Sequence, residues 1–267
     1  MPGTIKVKEV IRRISALLQD NNPQFSRMSE TEIVDFLNDA QAAIYKFLPS
    51  ACSRIDAIKL VPGTLQSIEN IAAANCKPGD ASVPTAPIIG SLLLDVICNM
   101  GSAGTVPGKS VRAMTEGREL LDAFNLNWHS EAGTDVVNFL FDPRMPRHFH
   151  VTPGAPAATA VWVRVAYIAM PLLIPNTGTP GAELYASAGG SSATISVHDE
   201  HVDDLVNYTC ARLLMKNAQY SAATGMSADA YGALFVGSIN AKAVSIMGYN
   251  PNLKHLPFAP SPMGAAS

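Results

Sequence analysis

Charge is what this 267-residue chain has least of. Asp, Glu, Lys and Arg together make up 15% of it, against about 25% in ordinary soluble domains, while the apolar share is of ordinary size. A subunit that stays alone in water needs polar surface. So few charges beside 19 prolines predict an outside largely covered by neighbours, and the expected state is an oligomer. Long basic runs are also missing: Arg12 with Arg13 is typical of the longest, and the formal net charge is −3. That excludes a surface built to grip a nucleic-acid duplex. The four cysteines, Cys52, Cys76, Cys98 and Cys210, stand far apart without CxxC spacing. A metal knuckle or a redox pair is therefore not indicated, and free thiols of a reducing cytoplasm are expected. The first twenty residues mix charged with apolar positions and hold no continuous hydrophobic stretch, so no secretory signal is expected. Residues 157–175 come nearest to a membrane span, with Arg164 as their sole charge. They are valine-rich, contain Pro171 and alternate through Val161, Val163, Val165 and Tyr167, which predicts a strand and no membrane.

What is present reads as helices at both ends and strands between. Val7, Val10, Ile11, Ile14, Leu17 and Leu18 fall at helical spacing over residues 4–20, with Thr4 as the expected cap. Ser29 followed three residues later by Glu32 spells a capping box. Ile33, Phe36, Leu37, Ala40, Ile44 and Phe47 carry the second helix to Pro49. Short β-type runs then follow, clearest at residues 136–141, 148–151 and 160–169. The apolar run 88–100 is the exception and reads as a helix behind Pro87, and 101–108 reads as a loop. Residues 176–194, rich in Gly, Ser, Ala and Thr, predict a flexible arm. Val202, Leu205, Val206, Thr209, Cys210, Leu213 and Leu214 restore helical spacing as far as Gly225, a plausible stop. A last helix is expected from Ser227 through Tyr231, Leu234, Phe235 and Ile239, and the proline-rich end 248–267 predicts an extended tail.

The fold class expected is α+β. N- and C-terminal amphipathic helix pairs (1–50 and 195–247) form a helical bundle, a β-rich insertion occupies 51–175, the arm is 176–194 and the tail 248–267.

Motifs of catalysis are missing as well. The chain holds no GxSxG, Walker loop, HExxH or GxGxxG, and catalytic, cofactor and metal residues are all expected to be none. His148 and His150, two apart on a strand, would share a face, yet no third ligand stands near them in sequence. His198 and His201 read as a charge-complementing cap on an acidic helix start. Asp199, Glu200, Asp203 and Asp204 read as a solvated first turn favoured by the helix dipole. Trp128 and Trp162 lack interleaved basic residues and read as packing rather than base-stacking platforms.

The opening segments, Leu17 to Asp20 and then Ser29, Glu32, Phe36, Leu37, Asn38, Ala40 and Gln41, resemble the start of head-to-tail adaptor (connector) proteins of short-tailed bacteriophages. The similarity resumes over residues 149–171 and in the helix pair between Val202 and Ile239. Met28 stands where such proteins often have Trp, and the arm is longer than usual. The resemblance implies a homo-oligomeric ring, commonly dodecameric, between the portal and the tail nozzle or tube in the neck of the virion. Packaged DNA would pass through its lumen without sequence-specific binding, and assembly would occur in the host cytoplasm. It implies no enzyme and no membrane. Within it, Tyr249, Leu256 and Phe258 are the expected partner-binding residues, since the tail is aromatic and proline-rich with little charge. The alternatives are another neck, head-completion or tail protein, or a cytoplasmic hydrolase using Cys98 or a histidine.

Overall fold

A computed structural model describes residues 3–20, 28–78, 87–114, 117–175, 193–218 and 221–249. Among them it is an α+β protein with five α-helices and two sheets. The chain divides into two compact units, Cys52–Leu172 and Pro2–Ala51 with Leu173–Ser267.

The first unit is built on β9 (Trp162–Ala169). Alternation sends Val163, Val165, Tyr167 and Ala169 into the core, as the valine spacing predicts. The strand lies in the middle of an antiparallel sheet of order β3-β1-β9-β4-β5, with β1 at Ser53–Lys59, β3 at Cys76–Pro78, β4 at Gly90–Met100 and β5 at Pro107–Ser110. A second sheet, of order β2-β8-β7-β6, contains β2 (Gly63–Ser67), β6 (Arg112–Ala113), β7 (Asn138–Phe141) and β8 (His148–Ala155). Phe139, Phe149 and Val151 of this sheet share one buried cluster with the inward residues of β9. The expected helix at 88–100 is a strand instead. Lying between β9 and β5, β4 has buried residues pointing to both faces, and a strand covered on both sides loses the alternation that would mark it.

Several polar groups inside this unit are paired with one another. Tyr167 donates its hydroxyl to Asp56 at 2.7 Å, and Arg54 Nε donates to the same carboxylate at 3.0 Å. The Asn99 side chain acts like a piece of strand: its Nδ2 donates to the Val136 carbonyl at 2.7 Å and its Oδ1 accepts the Val136 amide at 2.8 Å. Gly104 sits at φ 69° over the Trp162 ring, where a Cβ would come within 2.8 Å of ring carbons. Only glycine suits that turn.

The second unit holds α1 (Val7–Leu17), α2 (Glu30–Phe47), α4 (Val202–Asn217) and α5 (Ala222–Tyr249); α3 (Gly117–Phe124) belongs to the sheet unit. The helix α4 packs against α1, α2 and α5. Ser29 caps α2 by accepting the Glu32 amide at 3.3 Å, and Pro49 follows its end, both as the sequence predicts. Thr4 does not cap α1; its backbone and hydroxyl bond Asp199, and the position before α1 is Lys6 with no side-chain cap. Nor does Gly225 stop a helix: α4 ends at Asn217, and α5 starts at Ala222 and runs through that glycine. The expected arm lies outside the described residues apart from its end, where Thr194 bridges Lys6.

Candidate interaction surface

The residues singled out for chemistry turn out to hold the chain together. His148 and His150 do share a face of β8, as alternation requires. His150 lies 5.6 Å from the Trp128 ring and 6.0 Å from the His129 ring. Burial, helped by the Arg118 charge, holds its imidazole below the usual histidine range. Trp128, fully buried, stacks on His129 at 3.6 Å and donates its indole N–H to Asp122 at 2.8 Å. That bond is the main reason Asp122 lies below the usual carboxylate range. Among the described residues, no three His, Cys, Asp or Glu side chains gather where they could hold a metal ion. Cys98 is buried beside Met100 and Trp162, and burial pushes the Cys52, Cys76 and Cys210 thiols up to about 12. Thiols held protonated pack as small hydrophobes and are poor nucleophiles. Trp162 also serves packing, with the Lys77 ammonium 5.0 Å from its ring.

At the acidic start of α4, Glu200 and Asp203 are exposed as expected, while Asp199 and Asp204 correct the expectation of a solvated turn. Asp199 accepts the amides of Thr4 and Ile5 at 2.8 and 3.2 Å, so it ties the N-terminal segment to the turn before α4. Asp204 is fully buried. His201 Nδ1 lies 3.0 Å from its Oδ2, and Lys242 of α5 donates to the same oxygen at 2.6 Å. Burial works against the charge of Asp204, yet the bonds from His201, Lys242 and Ser238 outweigh it and hold the carboxyl below the usual range. His201 is likewise buried rather than a surface cap. Lys242 donates also to the Glu200 carbonyl at 2.7 Å, so the turn before α4, α4 itself and α5 meet on one ammonium group.

Two residues of the opening motif act in the same way. Asn38 accepts the Ile174 amide at 2.8 Å and donates to the Ile174 carbonyl at 3.1 Å, and Gln41 accepts the Ser196 amide at 2.7 Å. Both are side chains of α2 that bind the returning chain as a neighbouring strand would. Glu32 holds Lys216 of α4 in an ion pair, which is the main cause of its lowered pKa, with the Ser29 amide adding to it.

One face is left exposed among the described residues. Over Ala222–Tyr249 the only charged residues are Asp229 and Lys242, and the helix is apolar on all sides. Such a helix is normally buried all round, yet among its described side chains Ala228, Phe235 and Ile239 alone are buried. Phe235 meets Tyr208 edge-on at 5.1 Å and Phe47 at 6.5 Å. On other sides Met226, Leu234, Val236 and Val244 are 74%, 58%, 54% and 67% exposed. Gly237, also exposed, has open space where a Cβ would stand; a helix-interior glycine costs roughly 0.5–1 kcal/mol against alanine, and nothing in the subunit requires it. Sequence reasoning placed a helix through Tyr231, Leu234, Phe235 and Ile239 but did not assign its faces; Phe235 and Ile239 are buried and Leu234 is exposed. Of the expected partner-binding residues, Tyr249 is the last residue of α5, while Leu256 and Phe258 lie outside the described residues.

A subunit whose ionic and polar side chains close its own fold, and whose longest helix is left half bare, is by class a structural protein made for contact with other proteins. The SU10 adaptor protein family matches residues 5–252, and the chain belongs to it: it is a phage adaptor, a component of the virion. No curated protein matches the chain. Among the described residues no helix is long and apolar enough to cross a membrane.

Proposed function

We propose that the protein is the head-to-tail adaptor of its virion, a non-enzymatic ring joining the portal to the tail nozzle or tube and lining part of the DNA ejection channel. Its helical unit is the bundle that builds the ring, and the sheet unit is an insertion that faces outward or toward the tail. The observation that carries this reading is membership of an adaptor family by a chain whose α5 is uncharged over most of its length and half uncovered. Ring interfaces are heterologous: each copy offers one patch to the neighbour on one side and a different patch to the other. Two such patches on each copy account for the scarcity of charge in the sequence. A dodecameric ring is the copy number that fits the family resemblance. A net charge of −3 suits a conduit, because a strongly basic lumen would retain phosphates. DNA passes without sequence-specific contact.

The tail 248–267 orders on a neighbour, with Tyr249, Leu256 and Phe258 as its anchors. Electron microscopy of the purified chain mixed with its portal tests both parts. Rings seated on portals are expected from the full chain and none from a chain truncated after Met247. Truncated protein that seats normally rejects the tail's role, and full-length protein that never seats rejects the adaptor reading.

A further inference from the structure

The exposed side of α5 carries a continuous, nearly uncharged stripe. Met226, Ala230, Ala233, Gly237, Asn240 and Val244 are all exposed and follow one another at steps of four and three. The five steps average 3.6 residues, the period of the helix itself, so these residues form one continuous stripe, or seam, along one face of α5. The buried residues Ala228, Phe235 and Ile239 lie on the opposite side, so the seam is separate from the contact with α4. Small residues fill its middle, and Leu234 and Val236 flank it. Gly237 stands at the centre, and beyond its own stretch of helix no atom of the described residues lies within 4 Å of a Cβ placed there. A glycine that weakens its own helix is accounted for when a second backbone comes close.

We infer that this seam is the seat of a helix from a second copy of the chain, packed at short interaxial distance across Ala233 and Gly237. The inference rests on the ring reading, which places every subunit between two others. Area selects the setting. At 1.5 Å per residue and a width of about 10 Å, the 28 residues of α5 offer roughly 400 Å². That is about half the roughly 800 Å² per partner of a stable interface. The seam alone does not hold two free subunits together; it closes when the portal gathers copies side by side. The absence of charge along the seam, where Asn240 is its one polar member, fits an apolar helix face and not an acidic or basic partner.

Gly237→Leu is the test, with the purified portal as template. The variant is expected to keep the helical circular dichroism of the wild type and to melt no lower, since the added side chain meets open space among the described residues and leucine is a better helix former than glycine. Its yield of portal-seated rings should fall at least tenfold. Gly237→Ala should melt above the wild type and seat at an intermediate yield. As a second measurement, Ala233→Cys subunits seated on portals should be joined between subunits by a short bis-maleimide, and the same subunits in free solution should not. Gly237→Leu rings forming at wild-type yield overturn the inference, as does cross-linking absent from seated rings. Wild-type chains that fail to seat at all sink the adaptor reading itself, a different result from wild-type success beside variant success.

Discussion

Helices α4 and α5 share a defect in pattern and have opposite surroundings. Neither is divided cleanly: α4 carries its stripe from Val202 to Leu214 and buries Asp204 as well, and α5 is largely apolar. In α4 the reason is that α1, α2 and α5 surround it, so that even Asp204 and Thr209 are buried. In α5 the reason is that an apolar helix has been covered on one side only. The pair teaches that a largely apolar helix announces burial without saying by whom: neighbouring helices of the described residues cover α4, while one side of α5 is left exposed. Substitutions separate the two cases by what they damage, folding or assembly.

The largest effect is expected in α4. Leu213, fully buried, should cost about 2–5 kcal/mol on change to Ala, through lost transfer energy and the cavity left behind. Urea denaturation of the isolated subunit checks this, and a loss below about 1 kcal/mol would break the picture of α4 as the centre of its unit. Next comes the tie between the helices. Lys242→Met leaves the Asp204 carboxylate buried without its ammonium, and removing one partner of a buried pair costs about 3 kcal/mol or more. Because Lys242 also holds the Glu200 carbonyl, protease nicking near the end of α5 should accelerate with it.

The same site sets an acid limit. Asp204 is held below its ordinary carboxylate value of 3.8, so the folded state keeps its charge more readily than the unfolded chain does. Its contribution is therefore fully present above that ordinary value and is lost as pH falls through the lower, folded one. Asp204→Asn should be less stable than the wild type at pH 6, and the gap should narrow as the buffer is taken to pH 3. A gap that stays constant would mean that the carboxylate is uncharged throughout.

How much of this was legible beforehand follows from which residues a local pattern can report. The capped start of α2, the end before Pro49 and the alternation of β9 were readable because each is decided within a few residues. β4 was not, since burial on both faces replaces alternation with a plain apolar run. The acidic turn was misread for a different reason: a solvated Asp and a buried one look alike until the cation arrives, and Lys242 is 38 residues further on. Asn38 and Gln41 were noticed as a motif, but their work on Ile174 and Ser196 depends on a chain that returns 136 and 155 residues later. The glycine at 225 failed as a stop because α5 tolerates glycine throughout, at 225, 232 and 237, which a rule about helix ends reads as a boundary.

The smallest expected effect on folding is the one that sharpens the comparison most. Val244 is 67% exposed, and Val244→Ala in the isolated subunit should change stability by no more than about 0.5 kcal/mol, the usual range for surface sites. Alanine has the better helix propensity, so even the sign can be favourable. A residue that contributes nothing to its own fold gives a polar replacement no folding reason to be avoided, yet this stripe of α5 carries no charge and Asn240 is its one polar member. If neighbouring copies cover it, Val244→Ala and Leu234→Ser should leave the denaturation midpoint in place and lower the yield of portal-seated rings. If instead the midpoint drops by more than about 1 kcal/mol in stability, α5 is covered from within the subunit, and the difference between the two helices disappears.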